Sequence, residues 1–432
     1  MPRLVIPALL VLVLALPGPA WTVPIQPQEL TYLGAFRLPE GGVGSDWTYS
    51  GNAATHFPGG DPAGSADGFP GSLFATGNGT MLQVAEISIP VPVISAAKNP
   101  AELNTAAFLQ PFSDVFGGLF PYLEQPRVGL CYLPPQAGQA SGKVHYAFGL
   151  HLQDTGFEPS HGWFETNLSD PRPAGPWIFG GYSGYVTNDY LFEIPKAWAD
   201  LYAPGLYLAS GRCREGPWAG GGPGLFAYGP WNEGNPPAPG ATLTNIRPLL
   251  LYGTQLPGLA EISFDASQTI PGHTDPDRWR GAAWLTAGDR SAVVFVGTKT
   301  VGRTWYGFAD GTEWDYNCGQ PGFAPCPQVP EWPYDNRGYW AEDFQAQMMF
   351  YSPDDLAAVA QGASETWAPQ PYAVLDLSPF LFDPLYTVDD LIRYKRDFVG
   401  AVCFDRQNSL LYLFEMVAEE DGRSIVHVFR VQ

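Results

Sequence analysis

Several features are scarce in this 432-residue chain, and each scarcity removes a class of function. Basic residues come first: 22 Lys and Arg stand against 43 Asp and Glu, a formal charge of −21. A surface of that sign repels phosphate backbones and anionic headgroups, so nucleic acid and membrane are excluded as primary partners. Nucleotide chemistry lacks its loop, because no G-x-x-x-x-G-K run occurs. Serine-hydrolase chemistry lacks its elbow, since Gly181-Tyr182-Ser183-Gly184 misses the G-x-S-x-G spacing. The six histidines, His56, His145, His151, His161, His273 and His427, form no zinc-type pair. Beyond Leu16 no apolar run approaches the roughly 20 residues of a membrane-spanning helix.

The N-terminus carries a compartment signal. Arg3 supplies a positive start, Leu4 to Leu16 an apolar stretch, and Pro17-Gly18-Pro19-Ala20 the small residues of a cleavage site. Residues 1–20 therefore read as a secretory signal peptide, which predicts a secreted or periplasmic protein whose remaining chain, 21–432, forms one β-propeller domain. No Cys follows the cleavage site, so no lipid anchor is expected there. Cysteines are few, five in all. Cys318 and Cys326 lie in one Gly/Pro-rich loop and are the natural disulfide in an oxidising compartment. Cys131, Cys213 and Cys403 sit in apolar or strand-like runs, which suit either one further pair plus a free thiol or three buried thiols.

Aromatics and turn formers are plentiful. With 14 Trp, 21 Tyr, 26 Phe, 50 Gly and 44 Pro, the chain has material for a core and for many reversals, unlike a disordered chain. The clearest strand signal spans Ala282 to Gly307. Runs Ala282 to Ala287 and Ala292 to Val296 flank Gly288-Asp289-Arg290-Ser291, and a third run, Thr304 to Phe308, follows Gly302, so the stretch reads as three antiparallel strands. Gly71 to Thr76 and Leu82 to Ile89 pair across Gly77-Asn78-Gly79. Leu30 to Leu38 reads as a first strand, and Phe398 to Phe404, Leu410 to Val417 and Ile425 to Val431 as the last ones. Helical signals are short. Ser352-Pro353-Asp354-Asp355 opens a helix over Pro353 to Gln361, Asn99-Pro100 with Glu102 a short helix running to about Phe108, and Thr387 to Lys395 another.

Many short strands, long loops and one or two short inserted helices predict an all-β fold, a β-propeller of five or six blades. The first strand would pair with the C-terminal hairpin and so close the ring. Ala85-Glu86-Ile87-Ser88, Ala260-Glu261-Ile262-Ser263 and the looser Phe192-Glu193-Ile194-Pro195 hint at structural repetition.

The strongest binding candidate is Arg212, Arg214, Glu215 and Trp218, ahead of Gly220-Gly221-Gly222. Arg clamps an oxyanion bidentately, Trp offers a flat apolar face, and glycines allow close approach to the backbone. A second aromatic cluster, Trp305, Tyr306, Trp314, Tyr316, Trp332, Tyr334, Tyr339 and Trp340, is either a glycan platform or core. Glycoside hydrolysis would need two converging carboxyls, for which Glu86, Glu261 and Asp265 are the candidates. Acidic loops at Asp61 and Asp67, and at Asp275 and Asp277, could hold calcium, although neither has EF-hand spacing. No other cofactor is indicated. The chain thus reads as an extracellular propeller binding a carbohydrate or other polar small ligand, with a glycoside hydrolase or lyase and a scaffold for a protein partner as the alternatives.

Overall fold

The structure, a computed structural model, describes residues 23–432 except 119–126, 137, 150–156, 257, 383–386, 389–390 and 393–395. The leader assigned to residues 1–20 and His151 lie outside the described residues. No helix among the described residues is long and apolar enough to cross a membrane.

Five blades build a β-propeller. The N-terminal strand is β1 (Leu30–Arg37). Blade 1 comprises β2 (Ala54–Phe57), β3 (Ser72–Thr76), β4 (Val84–Ser88) and β5 (Phe108–Ser113). Blade 2 comprises β6 (Arg127–Leu133), β7 (Lys143–Gly149), β8 (Pro159–Phe164) and β9 (Ala174–Phe179); blade 3 comprises β10 (Tyr190–Glu193), β11 (Leu208–Gly211), β12 (Leu225–Tyr228) and β13 (Ile246–Leu250). Blade 4 holds β14 (Arg278–Ala287), β15 (Arg290–Gly307), β16 (Gly338–Tyr351) and β17 (Ala373–Asp376), and blade 5 holds β18 (Val399–Asp405), β19 (Leu410–Glu415) and β20 (Ile425–Val431). Within a blade, neighbours along this order pair antiparallel. The first strand of each blade packs on the first strands of the blades beside it, in the cycle β2, β6, β10, β14, β18 and back to β2. These five strands line the central channel.

Strands in that position are enclosed on both faces, so their sequences run almost continuously buried instead of alternating: all of β14 but Ala287 is buried. The core lies between blades. Phe74 and Val84 of blade 1 pack with Val128 and Tyr146 of blade 2, and Leu285 and Val294 of blade 4 pack with Val399 and Leu411 of blade 5. Each such side chain, fully buried, contributes about 1.5–3 kcal/mol, so blade contacts are the main source of stability.

The ring closes as the sequence predicts. Strand β1 pairs antiparallel with β20, from Leu30 opposite Val431 to Arg37 opposite Ile425, and becomes the outer strand of blade 5. Gly34 marks a bulge in that pairing: its φ is +117°, and a Cβ there would lie 2.5 Å from the Val93 carbonyl carbon.

Some expectations need correction. Thr304 to Phe308 is not a third strand but the continuation of β15, because Gly302, at φ +79°, forms a bulge and not a reversal. The Glu342 carboxylate accepts from the Arg303 amide at the bulge, and the strand resumes pairing with β16. Asn99 caps only a single 3₁₀ turn, Pro100–Glu102, before the chain turns extended at Leu103. Within Thr387 to Lys395 the described residues form a small hairpin, Thr387–Val388 against Leu391–Ile392, as β-branched residues favour. Helix α1 (Pro353–Ala360) is present, with Ser352 Oγ accepting from the Asp354 amide. The three Glu-containing tetrapeptides fall at unrelated places: the third strand of blade 1, the second strand of the short hairpin of Thr254–Gln255 and Ile262–Ser263 with the bend leading into it, and the end of an innermost strand. That similarity records no repeat.

Candidate functional site

The five innermost strands run the same way along the channel, so their N-terminal ends share one mouth and their C-terminal ends the other. At the first mouth each blade delivers a polar residue just before or at its strand: Asn52, Arg127, Asp189, Arg278 with Arg280, and Asp397. The pairing of β14 with β15 slips at Arg280, and Arg278 and Arg280 both reach Asp397. The loop leaving β11 carries Arg212, Arg214, Glu215 and Trp218 back to this mouth, where Cys213 bridges to Trp279 beside the two arginines.

These groups form one network. Glu215 receives Arg127 Nη2 at 3.4 Å and Arg278 Nη2 at 3.3 Å. Arg278 Nη1 also donates to Asp397 at 2.9 Å, Arg280 Nη1 lies 3.5 Å from the other Asp397 oxygen, and Arg280 Nη2 donates to Asn52 at 3.0 Å. Arg212 donates to the Gly184 carbonyl and to Asn188 Oδ1. Burial alone would raise the Asp397 carboxyl, but Arg278, Arg280 and Arg127 outweigh it and hold the group well below the ordinary range. Burial, followed by the repulsion of Arg127 and Arg214, pushes Arg212 down to about 9. Burial and Arg278 push Arg396 down to about 10. Both remain guanidinium ions at neutral pH.

Above the network lies a cup of about 120 Å³. Arg214, Arg278, Arg337, Arg396 and Glu215 supply its charge, and Trp218, Tyr306 and Tyr339 its flat walls. Arg214 lies 5.4 Å from the Trp218 ring centre, and Arg337 stacks on Trp314 at 4.4 Å with Tyr306 6.0 Å away, which orients both cations. Tyr306 and Tyr339 come from the paired strands β15 and β16, opposite one another, while Asn336 and Arg337 end the long insertion between those strands. The disulfide Cys318–Cys326 staples that insertion. Of the wider aromatic cluster, Tyr339 and Trp340 are buried, Trp305, Tyr306, Trp314 and Tyr334 are half-buried, and Tyr316 and Trp332 are exposed, so it divides between core and rim.

The opposite mouth holds a larger cavity, about 290 Å³. Its walls include Leu130, Leu191, Phe192, Trp284, Val402 and Phe404; Glu193 pairs with Arg406 at 3.5 Å, and Asp405 lies 3.7 Å from His56, which burial keeps neutral. Asp405 in addition caps the turn at Gln407 and Asn408. Arg280, Asn52 and Tyr190 narrow the channel between the two cavities to a space of about 10 Å³. We assign the candidate site to the smaller cup, because more charged and aromatic side chains converge on it than on the mainly apolar larger cavity.

Of the residues singled out in the sequence, Arg214, Glu215 and Trp218 line the cup and Arg212 lies beneath it, fully buried. The carboxylates considered for hydrolysis are dispersed. Glu86 lies inside blade 1, accepting from Ser72 Oγ and from Gln110 Nε2 at 2.6 Å. Glu261 is exposed in the connection of the short hairpin, just before its second strand, and Asp265 caps the turn Ala266–Gln268. Asp61 and Asp67 accept amides of their own loop. Asp277 receives Lys299, Thr274 and Thr300, and Asp275 stands half-buried near Tyr339. Among the described residues no three His, Cys, Asp or Glu side chains gather as a metal ion would require. Cys131, Cys213 and Cys403 are three buried free thiols.

Sequence reasoning missed Arg127, Asp189, Arg278, Arg280, Arg396 and Asp397. A usable signal existed: charged residues lead directly into apolar innermost strands at Arg127, at Arg278-Trp279-Arg280 and at Arg396-Asp397. No protein-family model matches this chain, and no curated protein matches it.

Proposed function

We propose that the chain is a secreted β-propeller that binds a carbohydrate or other polar small ligand in the cup at the N-terminal mouth of the channel, without converting it. One observation carries the reading: guanidiniums and the rings of Trp218, Tyr306 and Tyr339 converge on a single cavity. A sugar ring lays its C–H face on an aromatic wall while its oxygens accept from donors at the rim. The cup is smaller than the roughly 300–1,000 Å³ that encloses a drug-sized ligand, so it suits one ring or one terminal group. Hydrolysis finds less support. A glycosidase needs two carboxyls on the bond, and Glu215, already tied to Arg127 and Arg278, is the one carboxylate among the described residues lining the cup.

The test is a glycan-array screen with a parallel assay for released reducing ends. Binding that Trp218→Ala weakens tenfold or more, with no product formed, is the expected result. Product formation that Glu215→Gln abolishes would replace binding by catalysis.

A further inference from the structure

We infer that the site takes an oligosaccharide and not a single sugar, the ring next to the one in the cup stacking on the exposed face of Tyr316. This rests on the binding reading above and adds the length of the ligand and a second subsite to it.

Local chain geometry brings Tyr316 to the rim of the cup. The chain leaves β15 at Gly307, turns where the Gly311 amide donates to the Phe308 carbonyl, and comes back on itself: Glu313 bridges to Gly307, and the Trp314 amide donates to the Tyr306 carbonyl at 2.8 Å. Two residues later Tyr316 lies over Tyr306, with ring centres 4.4 Å apart and planes inclined by 20°. Its hydroxyl stands 3.2 Å from that of Tyr339. Tyr316 thus touches both tyrosines of the cup wall. Trp218 joins the same line of rings, its centre 6.2 Å from that of Tyr339, which is 5.0 Å from that of Tyr306.

Tyr316 is nevertheless 57% exposed, as a ring covered on one face is. Single exposed apolar side chains are ordinary on a protein surface, and Val43 and Ile94 are more exposed. What sets Tyr316 apart is that it is held: a stack on one face, a hydrogen bond at its tip and the Cys318–Cys326 staple two residues on fix the ring before a ligand arrives. Immobilising a side chain on binding costs affinity, and here that cost falls on folding instead. A rigid, flat, neutral face suits the C–H side of a pyranose, whatever substituents the first ring presents to the guanidiniums. The cup, at about 120 Å³, has room for one ring, so a longer ligand must leave it, and Tyr316 carries the aromatic wall on beyond Tyr306.

The experiment is calorimetric titration of the full protein with β-linked oligomers of glucose, galactose, mannose and N-acetylglucosamine, each in lengths of one, two and three rings. For the sugar that binds, affinity should rise about tenfold between one ring and three. Tyr316→Ala should cut the ratio of three-ring to one-ring affinity to about twofold or less, with circular dichroism confirming the fold. Tyr316→Phe keeps the ring and should retain most of the gain. A ratio near one in the wild type overturns the inference and leaves the binding reading intact. A chain-length gain that Tyr316→Ala leaves whole places the second ring elsewhere and overturns the inference, and a gain lost equally in Tyr316→Phe assigns it to the hydroxyl and overturns the stacking. Binding of no series to a folded sample overturns both readings.

Discussion

The two ends of the channel are built from the same five strands yet differ in almost every physical respect. At the C-terminal end a cavity of about 290 Å³ is walled mainly by apolar side chains; Glu193 pairs with Arg406, and Asp405 lies beside the neutral His56. At the N-terminal end a cup of less than half that volume sits on a network of buried guanidinium and carboxylate groups. Volume alone would select the first as the site. Charge selects the second, because an unfilled apolar space loses only dispersion contacts, whereas guanidiniums held from water need a counter-charge.

The sharpest way to break this comparison is to remove the arginine that joins both carboxylates of the charged mouth. Arg278→Met leaves Glu215 and Asp397 without their shared partner and should cost about 3–5 kcal/mol, measured by urea denaturation. A loss under about 1 kcal/mol would mean that the network contributes little and would return attention to the larger cavity.

The insertion that roofs the charged mouth gives the next test. Replacing Cys318 and Cys326 by Ser should lower stability by about 2–3 kcal/mol through lost loop-closure entropy. It should also weaken ligand binding severalfold, since Asn336 and Arg337 end that insertion, and a comparison of melts and titrations with wild type checks both.

Acid separates the two ends by sign and window. Asp397 has a depressed folded value, so its contribution is present above the ordinary carboxylate range and is lost as pH falls below about 4. His56, at the other end, is lowered by burial, with Asp405 opposing only in part. It stays neutral when folded, while the unfolded chain takes up a proton below about 6.5, so stability declines from that pH downward. Melting temperature against pH should lose its lower limb in Asp397→Asn and part of its upper limb in His56→Gln. The smallest effect should follow from Val402→Ile, which adds one methylene to the larger cavity. A change in stability within about 1 kcal/mol and unaltered ligand affinity would mark that space as packing; loss of binding would make it part of the site.

What could be read beforehand followed chain locality. The hairpin at Gly77-Asn78-Gly79, the strand pair around Gly288-Asp289 and the helix behind Ser352 depend on turn and cap chemistry within a few residues, and each is present. Gly302 escapes a local reading because a glycine between two strand-forming runs looks alike whether it reverses the chain or bulges it; the partner strand β16, more than thirty residues later, decides. In the site, Arg214, Glu215 and Trp218 were visible as one contiguous loop, whereas Asp189, Arg278 and Asp397 each looked like an ordinary charge beside a strand.

By itself the sequence determined a strand-rich, acidic chain with a stapled loop and a means of closing its own ring, because propensity, turn chemistry and net charge are properties of neighbouring residues and of composition. Only the tertiary structure decided that five blades share one axis and that the starts of their inner strands meet. Arg127 and Asp397 lie 270 residues apart in the chain, and their attraction exists only once the ring has closed and excluded water between them.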